Sequence, residues 1–595
     1  MEKKRKKLLL WAKTLISKLH SGLNRFPETL LMCAVTVVVL IVYNHCNYGY
    51  TDGDTLQHLL RLAAVLALGI PLSLCIRVFY ERVPDIRKLA RVLIYLAAAA
   101  ALVIYYFYLL PDFGMVAVTR YIAVFFALLL AFTFIPYLNR KQNYELYVIR
   151  LAVSFFVTYL FSVILFAGLS AMLATIGYLF EINILGAFYF DIWAIVAGIF
   201  APAFFLADIP DGDRELEHES YPPTVKSLLS YIMLPLIAAY CVILYIYFLK
   251  ILVTRQWPDV MVSHLVLWYA LLCTLVIFCI YPLRRLNKWT KTFSASFPLL
   301  LLPLLLLMFA AMWVRIRAYG ITENRYFVLA AGIWAAASML YLIIAKKPKN
   351  LYLPVALALV ALLSVFGPWS SYSVAMDSQN RRFEKIAAEN NFLLNGKIIK
   401  PATELQAEKR RELSSIVTYF NRHYGLQHLR ALPEGVETIP QVEDLLGFPL
   451  DPYAYPPDEN DVYFRCFLKQ EDTVWEIADF AYFMHITSGS HQSGVSDSIA
   501  VSYFPQDHRL EVNLAGKTVY SKNIAEIVQS LWRDNVDKAE TLPREKMSYF
   551  ERLEDLEVLI VFQQFSGSAN GLKDEITLHF ADFYLFINSR AGNKN

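Results

Sequence analysis

Glycine, proline and cysteine are scarce in this chain, at 23, 26 and 7 of 595 residues. The first two shortages exclude collagen-like and low-complexity architectures, and seven cysteines cannot build a disulfide scaffold at this length. Charge is thin as well. Asp, Glu, Lys and Arg make up 18% of the chain, where a soluble globular protein carries about 25%. Motifs that carry chemistry are missing too: there is no Cys-x-x-Cys, no His-Glu-x-x-His, no phosphate-binding loop and no Gly-x-Ser-x-Gly elbow. No cofactor and no metal are therefore expected, and zinc, ATP and esterase-type chemistry have no motif behind them.

What the chain has is apolar length: 57% hydrophobic and 15% aromatic residues, with a mean hydropathy of +0.43. Crossing a hydrocarbon core of about 30 Å takes roughly 20 apolar residues in helix. Eleven segments fit that requirement, at about 28–44, 58–76, 92–110, 116–138, 150–179, 187–207, 228–249, 260–281, 294–314, 326–345 and 351–370. The fifth contains Gly168 and Gly177 and is over-long, so it is expected to tilt, kink or end in an interfacial turn. The expected fold is a polytopic α-helical membrane protein, with about 11 transmembrane helices over 26–370 and a C-terminal α+β soluble domain over 371–595.

Residues 1–25 read as an amphipathic helix at the membrane interface. Leu8, Trp11, Ala12, Leu15, Ile16, Leu19 and Leu23 recur at helical spacing, and Lys3 to Lys7, Lys13 and Lys18 suit anionic headgroups. Those interrupting lysines, and the lack of a small-residue cleavage pattern, argue against a secretion signal. With the N-terminus inside, 25 Lys and Arg fall on the cytoplasmic side of the membrane part and 7 outside, the sense that positively charged loops demand. Lys346, Lys347 and Lys349 hold the last short loop inside. Segment 351–370 then delivers the following domain outside the cytoplasm, to the periplasm of the inner membrane if the source is a Gram-negative bacterium. From residue 376 onward there are 23 basic and 33 acidic residues, a net charge of −10 that leaves +14 on the membrane part. Acidity of this kind argues against nucleic acid as a partner. The expected partners are the lipid bilayer and an envelope protein, lipid or glycan.

Ionisable residues inside a bilayer are costly and mark pathways or sites. Here Arg61, Arg120, Asp191 and His264 enter spans only near their expected outer ends, and Glu181, Arg315, Glu323 and Arg325 lie at that level in adjoining loops. Arg120, Asp191, Glu323 and Arg325 are the candidate ligand-binding residues. Convergent, they form an outward-facing polar cavity; otherwise they are interfacial anchors or separate structural pairs. Ser154, Thr158, Ser162 and Ser170 repeat at helical spacing and are read as helix–helix contacts. No catalytic residues are assigned.

In the C-terminal part, 376–390 and 403–424 read as helices, the second stopped by Gly425. Strands are expected at 462–468, 474–486, 499–504, 510–514, 556–565 and 575–587, with a helix at 524–532 between the fourth and fifth. The Ser/Gly-rich stretch 488–496, with His485 before it and Asp497 after it, has the residue types of a nucleophilic triad; a flexible hairpin loop is the expectation. Trp475, Tyr482 and Phe483 beside it suit a buried strand face, or else a partner surface.

The run Gly320-Ile-Thr-Glu-Asn-Arg-Tyr-Phe-Val-Leu329, followed by Lys346-Lys347 and Phe366-Gly-Pro-Trp-Ser370, resembles the bacterial family named domain of unknown function 4153. Phe200-Ala-Pro202 with Ala207-Asp-Ile-Pro210, and Tyr245 to Leu252 before Trp257-Pro258, add to the resemblance, which runs over essentially the whole chain. It implies a polytopic bacterial membrane protein and assigns no activity and no site residues. Thr322 is expected to cap a helix starting near Glu323. The functional reading is a non-enzymatic sensing, binding or scaffolding protein of the envelope. A transporter or flippase using the outer cluster is the alternative, and a membrane-embedded envelope-modifying enzyme the third reading.

Overall fold

The computed structural model describes residues 22–589 apart from 23, 49–52, 84, 139–142, 183, 211–220, 255–259, 286, 346, 402–404, 449, 451–460, 470–479, 489–491, 497–498, 515–516, 535–540, 554–555 and 571–574. The amphipathic helix read over 1–25 lies almost wholly outside these residues. Two compact units divide the chain, Met1–Arg382 and Phe383–Asn595.

Among the described residues of the first unit, ten helices are long and apolar enough to cross a membrane: α1 (Pro27–Tyr48), α2 (Gly53–Arg82), α3 (Lys88–Leu109), α4 (Met115–Tyr137), α5 (Tyr144–Leu179), α6 (Gly186–Ala207), α7 (Pro223–Thr254), α8 (Val260–Ile280), α9 (Lys288–Tyr319) and α10 (Glu323–Ile344). The eleventh expected span, 351–370, is present as a shorter apolar helix than the sequence suggests. Helix α11 covers only Tyr352–Val365, 14 residues, or about 21 Å of helix. Phe366 and Gly367 leave helical geometry after it, with φ at +89° for Gly367. The fifth segment does not break: α5 is one helix of 36 residues, about 54 Å long. Pro71, Pro298 and Pro303 likewise sit inside continuous helices. Membrane helices tolerate such prolines because neighbouring groups satisfy the freed carbonyls.

Packing follows from apolar side chains meeting apolar side chains, since lipid offers no hydrophobic drive between helices. The main core gathers α5 and α7 to α11 around Leu146, Leu234, Ala270, Leu301, Ala335 and Met339. A smaller cluster joins Leu30 of α1, Leu74 and Val78 of α2, Phe132 of α4, Leu151 of α5 and Leu206 of α6. Helix α11 packs against α4. Among the described residues no cysteine is joined in a disulfide.

Helix α12 (Ser371–Glu389) runs from the end of the first unit into the second. The second unit continues with the hairpin β1 (Leu393–Leu394) and β2 (Lys397–Ile398), then α13 (Ala407–His423) and α14 (Ile439–Leu446). Gly425, at φ +88°, ends α13 where the sequence expects it to stop. Its remaining strands are β3 (Asp461–Leu468), β4 (Tyr482–Thr487), β5 (Gln492–Val495), β6 (Ile499–Phe504), β7 (Arg509–Leu514), β8 (Lys517–Asn523), β9 (Thr541–Leu542), β10 (Ser548–Arg552), β11 (Leu556–Asn570) and β12 (Glu575–Ser589), with α15 (Ile524–Asp534) between β8 and β9.

Beyond the β1–β2 hairpin, the described strands form two sheets. A six-stranded sheet runs β4-β12-β11-β3-β9 with β10 also on β11, and β5-β6-β7-β8 make a separate antiparallel meander. Strand β11 carries two neighbours on one edge in succession, β10 at Glu557–Val561 and β3 at Gln564–Asn570. The register shifts at Phe562/Gln564, between those two neighbours. Phe562, Phe583, Tyr503, Val512 and Val528 unite both sheets and α15 in one core. Within the Ser/Gly stretch 488–496, residues 492–495 form a strand paired with β6 rather than loop, and 489–491 lie outside the described residues. The expected strand 474–486 begins only at Tyr482, its first half lying mostly outside the described residues.

Candidate functional site

The charged groups of interest sit at helix ends, where a side chain can reach backbone that the helix itself leaves unsatisfied. At the α9–α10 turn, Gly320 takes φ +73° and its N–H donates to Ile316 O at 2.9 Å. Thr322 stands at the N-cap position with extended backbone, yet its hydroxyl makes no capping bond; the expected cap is corrected. Arg325 serves the other side of the turn, as a donor to a carbonyl. Its Nη1 donates to Gly320 O, and its guanidinium lies 5.8 Å from the Tyr319 ring. Only 4% of Arg325 is exposed, and a buried guanidinium needs such partners.

Helix α12 completes the turn. Ser378 Oγ accepts from Ile321 N at 2.8 Å, and Gln379 Nε2 donates to the carbonyls of Tyr319 and Ile321 at 3.2 and 3.1 Å. Arg382 Nη1 reaches Tyr319 O at 3.4 Å, its guanidinium also 5.8 Å from the Tyr319 ring. A Cβ on residue 320 would stand 3.0 Å from both Gln379 Nε2 and Ser378 Oγ, so glycine serves the close approach as well as the backbone angle.

Arg120, one turn into α4, ties that helix to the end of α11. Its Nε donates to Val365 O at 3.3 Å, and its guanidinium lies 5.7 Å from the Phe366 ring and 5.6 Å from that of Tyr372. Tyr372 is the residue that Arg120 and Glu323 both act on. Arg120, Glu323 and the hydroxyls of Thr119 and Ser371 all act on it, and burial, with Glu323 adding, holds its hydroxyl above the usual tyrosine range. The hydroxyl is therefore a donor at neutral pH. Tyr326 Oη closes the same end by donating to Trp369 O at 2.7 Å.

Asp191 on α6 takes its partners from α1. Its Oδ2 lies 2.7 Å from His45 Nε2, and its Oδ1 accepts from Asn44 Nδ2 at 3.0 Å. Asn44 is buried and also donates to Ala187 O at 2.9 Å. Of the four candidates, then, Arg120 and Glu323 border one tyrosine, Arg325 lies in the same first turn as Glu323, and Asp191 belongs to the α1–α6 pair.

Glu145 escapes a reading of the sequence. Glu145 is 8% exposed and accepts from Asn350 Nδ2. Arg61 donates to Leu110 O and Tyr106 O at 2.7 and 2.9 Å, at the π-turn ending α3. In the second unit His485 pairs with Asp582, Nε2 to Oδ1 at 2.5 Å, while Ser488 Oγ accepts from Ala581 N at 2.8 Å. Ser488 is thus held in the strand pairing; His491 and Asp497 lie outside the described residues. Phe483 is exposed on β4, and Trp475 lies outside the described residues.

The chain belongs to the family described as Domain of unknown function (DUF4153), whose model matches residues 30–395. It is 25% identical over 260 residues, 41% of its length, to an uncharacterised protein of Pasteurella multocida (strain Pm70). That match takes in 44% of the relative, so the chain spans less than half the length of the curated protein it matches. No solved structure matches.

Proposed function

For a member of this family we propose a non-enzymatic, multi-pass protein of the bacterial inner membrane, its N-terminus in the cytoplasm and its C-terminal α+β unit in the periplasm. Its role is to sense, bind or scaffold an envelope component. The observation that carries this is the joint between α12 and the α9–α10 turn. Ser378, Gln379 and Arg382 hold the backbone of residues 319–321. The helix leading out of the spanning bundle is thereby fastened to two spanning helices, as a protein that relays a bound state through the membrane requires.

A second reading, a transporter or flippase, draws on the π-turns at Tyr105–Leu109, Val196–Phe200 and Leu228–Met233, since such turns mark functional places in helices. Two experiments separate the readings. Alkaline phosphatase fused after Asn595 is expected to be active, and an expressed but inactive fusion rejects the orientation. In liposomes holding the purified chain, dithionite should bleach only the outer half of a fluorescent phospholipid. Bleaching of both leaflets at an accelerated rate would replace the sensing role with lipid movement.

A further inference from the structure

Helix α12 starts at a turn of buried hydroxyls. Helix starts present N–H groups without intrahelical partners, together with the positive end of the helix dipole. At this start Ser371 and Tyr372 are 0% and 3% exposed. Ser371 Oγ and Tyr372 Oη are enclosed yet make no hydrogen bond of ordinary geometry. Buried hydroxyls are rarely left so, because each orphan costs about 1–3 kcal/mol. Thr119 Oγ1, beside Tyr372, already donates to Met115 O at 2.7 Å. Arg120 brings a guanidinium within 5.6 Å of the Tyr372 ring and is itself half-buried.

We infer that Arg120, Ser371, Tyr372 and the first turn of α12 form a site for a phosphate oxyanion, as carried by a phospholipid headgroup or by free phosphate. The two orphan hydroxyls donate, and the guanidinium supplies charge and paired N–H groups, which suit phosphate geometry. Basic pockets between membrane helices take lipid headgroups in this manner. Glu323 also faces Tyr372 and balances Arg120, so affinity comes from aimed donors rather than from net charge. The inference needs the membrane reading of this unit. It is independent of which side faces out and of the sensing role, because a detergent micelle leaves both ends open.

The test is native mass spectrometry of the full chain in detergent with added phosphatidylglycerol, and separately with diacylglycerol. One phosphatidylglycerol is expected to be retained and diacylglycerol lost. Arg120→Gln and Tyr372→Phe should each cut retention about tenfold, the equivalent of about 1.4 kcal/mol. Tyr372→Phe keeps the ring beneath Arg120 and removes only the hydroxyl, so it decides the matter if Arg120→Gln fails to fold. Millimolar inorganic phosphate distinguishes the sources: heat protection by phosphate alone, lost in Tyr372→Phe, assigns the site to the free anion, and lipid retention without such protection assigns it to the headgroup. Equal retention in both variants, or diacylglycerol held as well as phosphatidylglycerol, overturns the site.

Discussion

Arg25 and Glu81 are joined twice, Nε to Oε1 at 2.9 Å and Nη2 to Oε2 at 2.8 Å, while Arg25 Nη1 donates to the Ile209 carbonyl at 2.7 Å. One planar guanidinium thus binds the chain before α1, the end of α2 and the segment after α6. Arg25→Lys keeps the charge and loses the fork. It is expected to lower stability by about 1–2 kcal/mol, read as a reduced melting midpoint in detergent; an unchanged midpoint would show the fork to be dispensable.

Asn44 carries more than its exposed neighbour. It is buried and bonded to both Ala187 O and Asp191, so Asn44→Ala strands two acceptors, at about 1–3 kcal/mol. His45, nearly half exposed, bonds to Asp191 alone. His45→Ala should lower the midpoint less than Asn44→Ala, and the reverse order would refute this division of labour.

Helices α1 and α6 touch through a glycine. A Cβ at Gly198 would lie 2.3 Å from Val37 Cγ2, on a stiff, buried side chain. Gly198→Ala is therefore expected to push the helices apart at about 1–3 kcal/mol. Restoration by Val37→Ala in the double variant would place the clash there, and an independent, additive loss would place it elsewhere.

The joint of α12 should be visible by hydrogen exchange. Replacing Ser378 and Gln379 by alanine removes the acceptor of the Ile321 amide and the donors to residues 319 and 321. The Ile321 amide is expected to exchange at least tenfold faster, with α1 unaffected. Unaltered protection would mean the turn holds itself.

In the second unit, Glu551 of β10 accepts from Tyr520 and Lys522 of β8 and from Tyr549, at 3.0–3.4 Å, and so links the two sheets. Burial, with Glu551 adding, holds the Tyr520 hydroxyl well above its usual 10.0, and the hydrogen bonds of Lys522 to Tyr549 and Glu551 hold its ammonium above 10.5. Both shifts act in one direction. The unfolded chain gives up these protons first, so this stability is whole below about pH 10 and is lost as pH rises through the folded values. Glu551→Gln should flatten the alkaline limb of an unfolding curve above pH 10; a limb of unchanged steepness would remove the junction from the account.

Apolar length made the ten long helices legible, and alternation made β6 and β11 legible, since Ile499, Val501 and Tyr503 all point into the core. The two edge strands of the second sheet were not. Its strand β5 reads Gln-Ser-Gly-Val and β8 reads Lys-Thr-Val-Tyr-Ser-Lys-Asn, polar edge sequences whose pairing is set by neighbours rather than by their own pattern. Arg120, Glu323 and Arg325 could be picked out because charge near an apolar run is rare. Tyr372 and Ser371 could not, because a hydroxyl after a span looks like any interfacial residue until its neighbours are known. Glu145 was hidden for another reason: α5 begins at Tyr144, several residues before its apolar run, so a residue that looked like loop is packed inside.

The lengths of α5 and α11 set a condition on the lipid. One unit contains a helix of 36 residues and one of 14, about 54 and 21 Å against a hydrocarbon layer of about 30 Å. No flat sheet of lipid matches both. Around α11, whose Leu359 and Leu363 face outward, acyl chains must draw in. Along α5, the excess has to lean over or stand clear of the hydrocarbon. The protein therefore imposes a gradient of thickness on its own annulus, and lipids of different chain length will sort themselves around its perimeter.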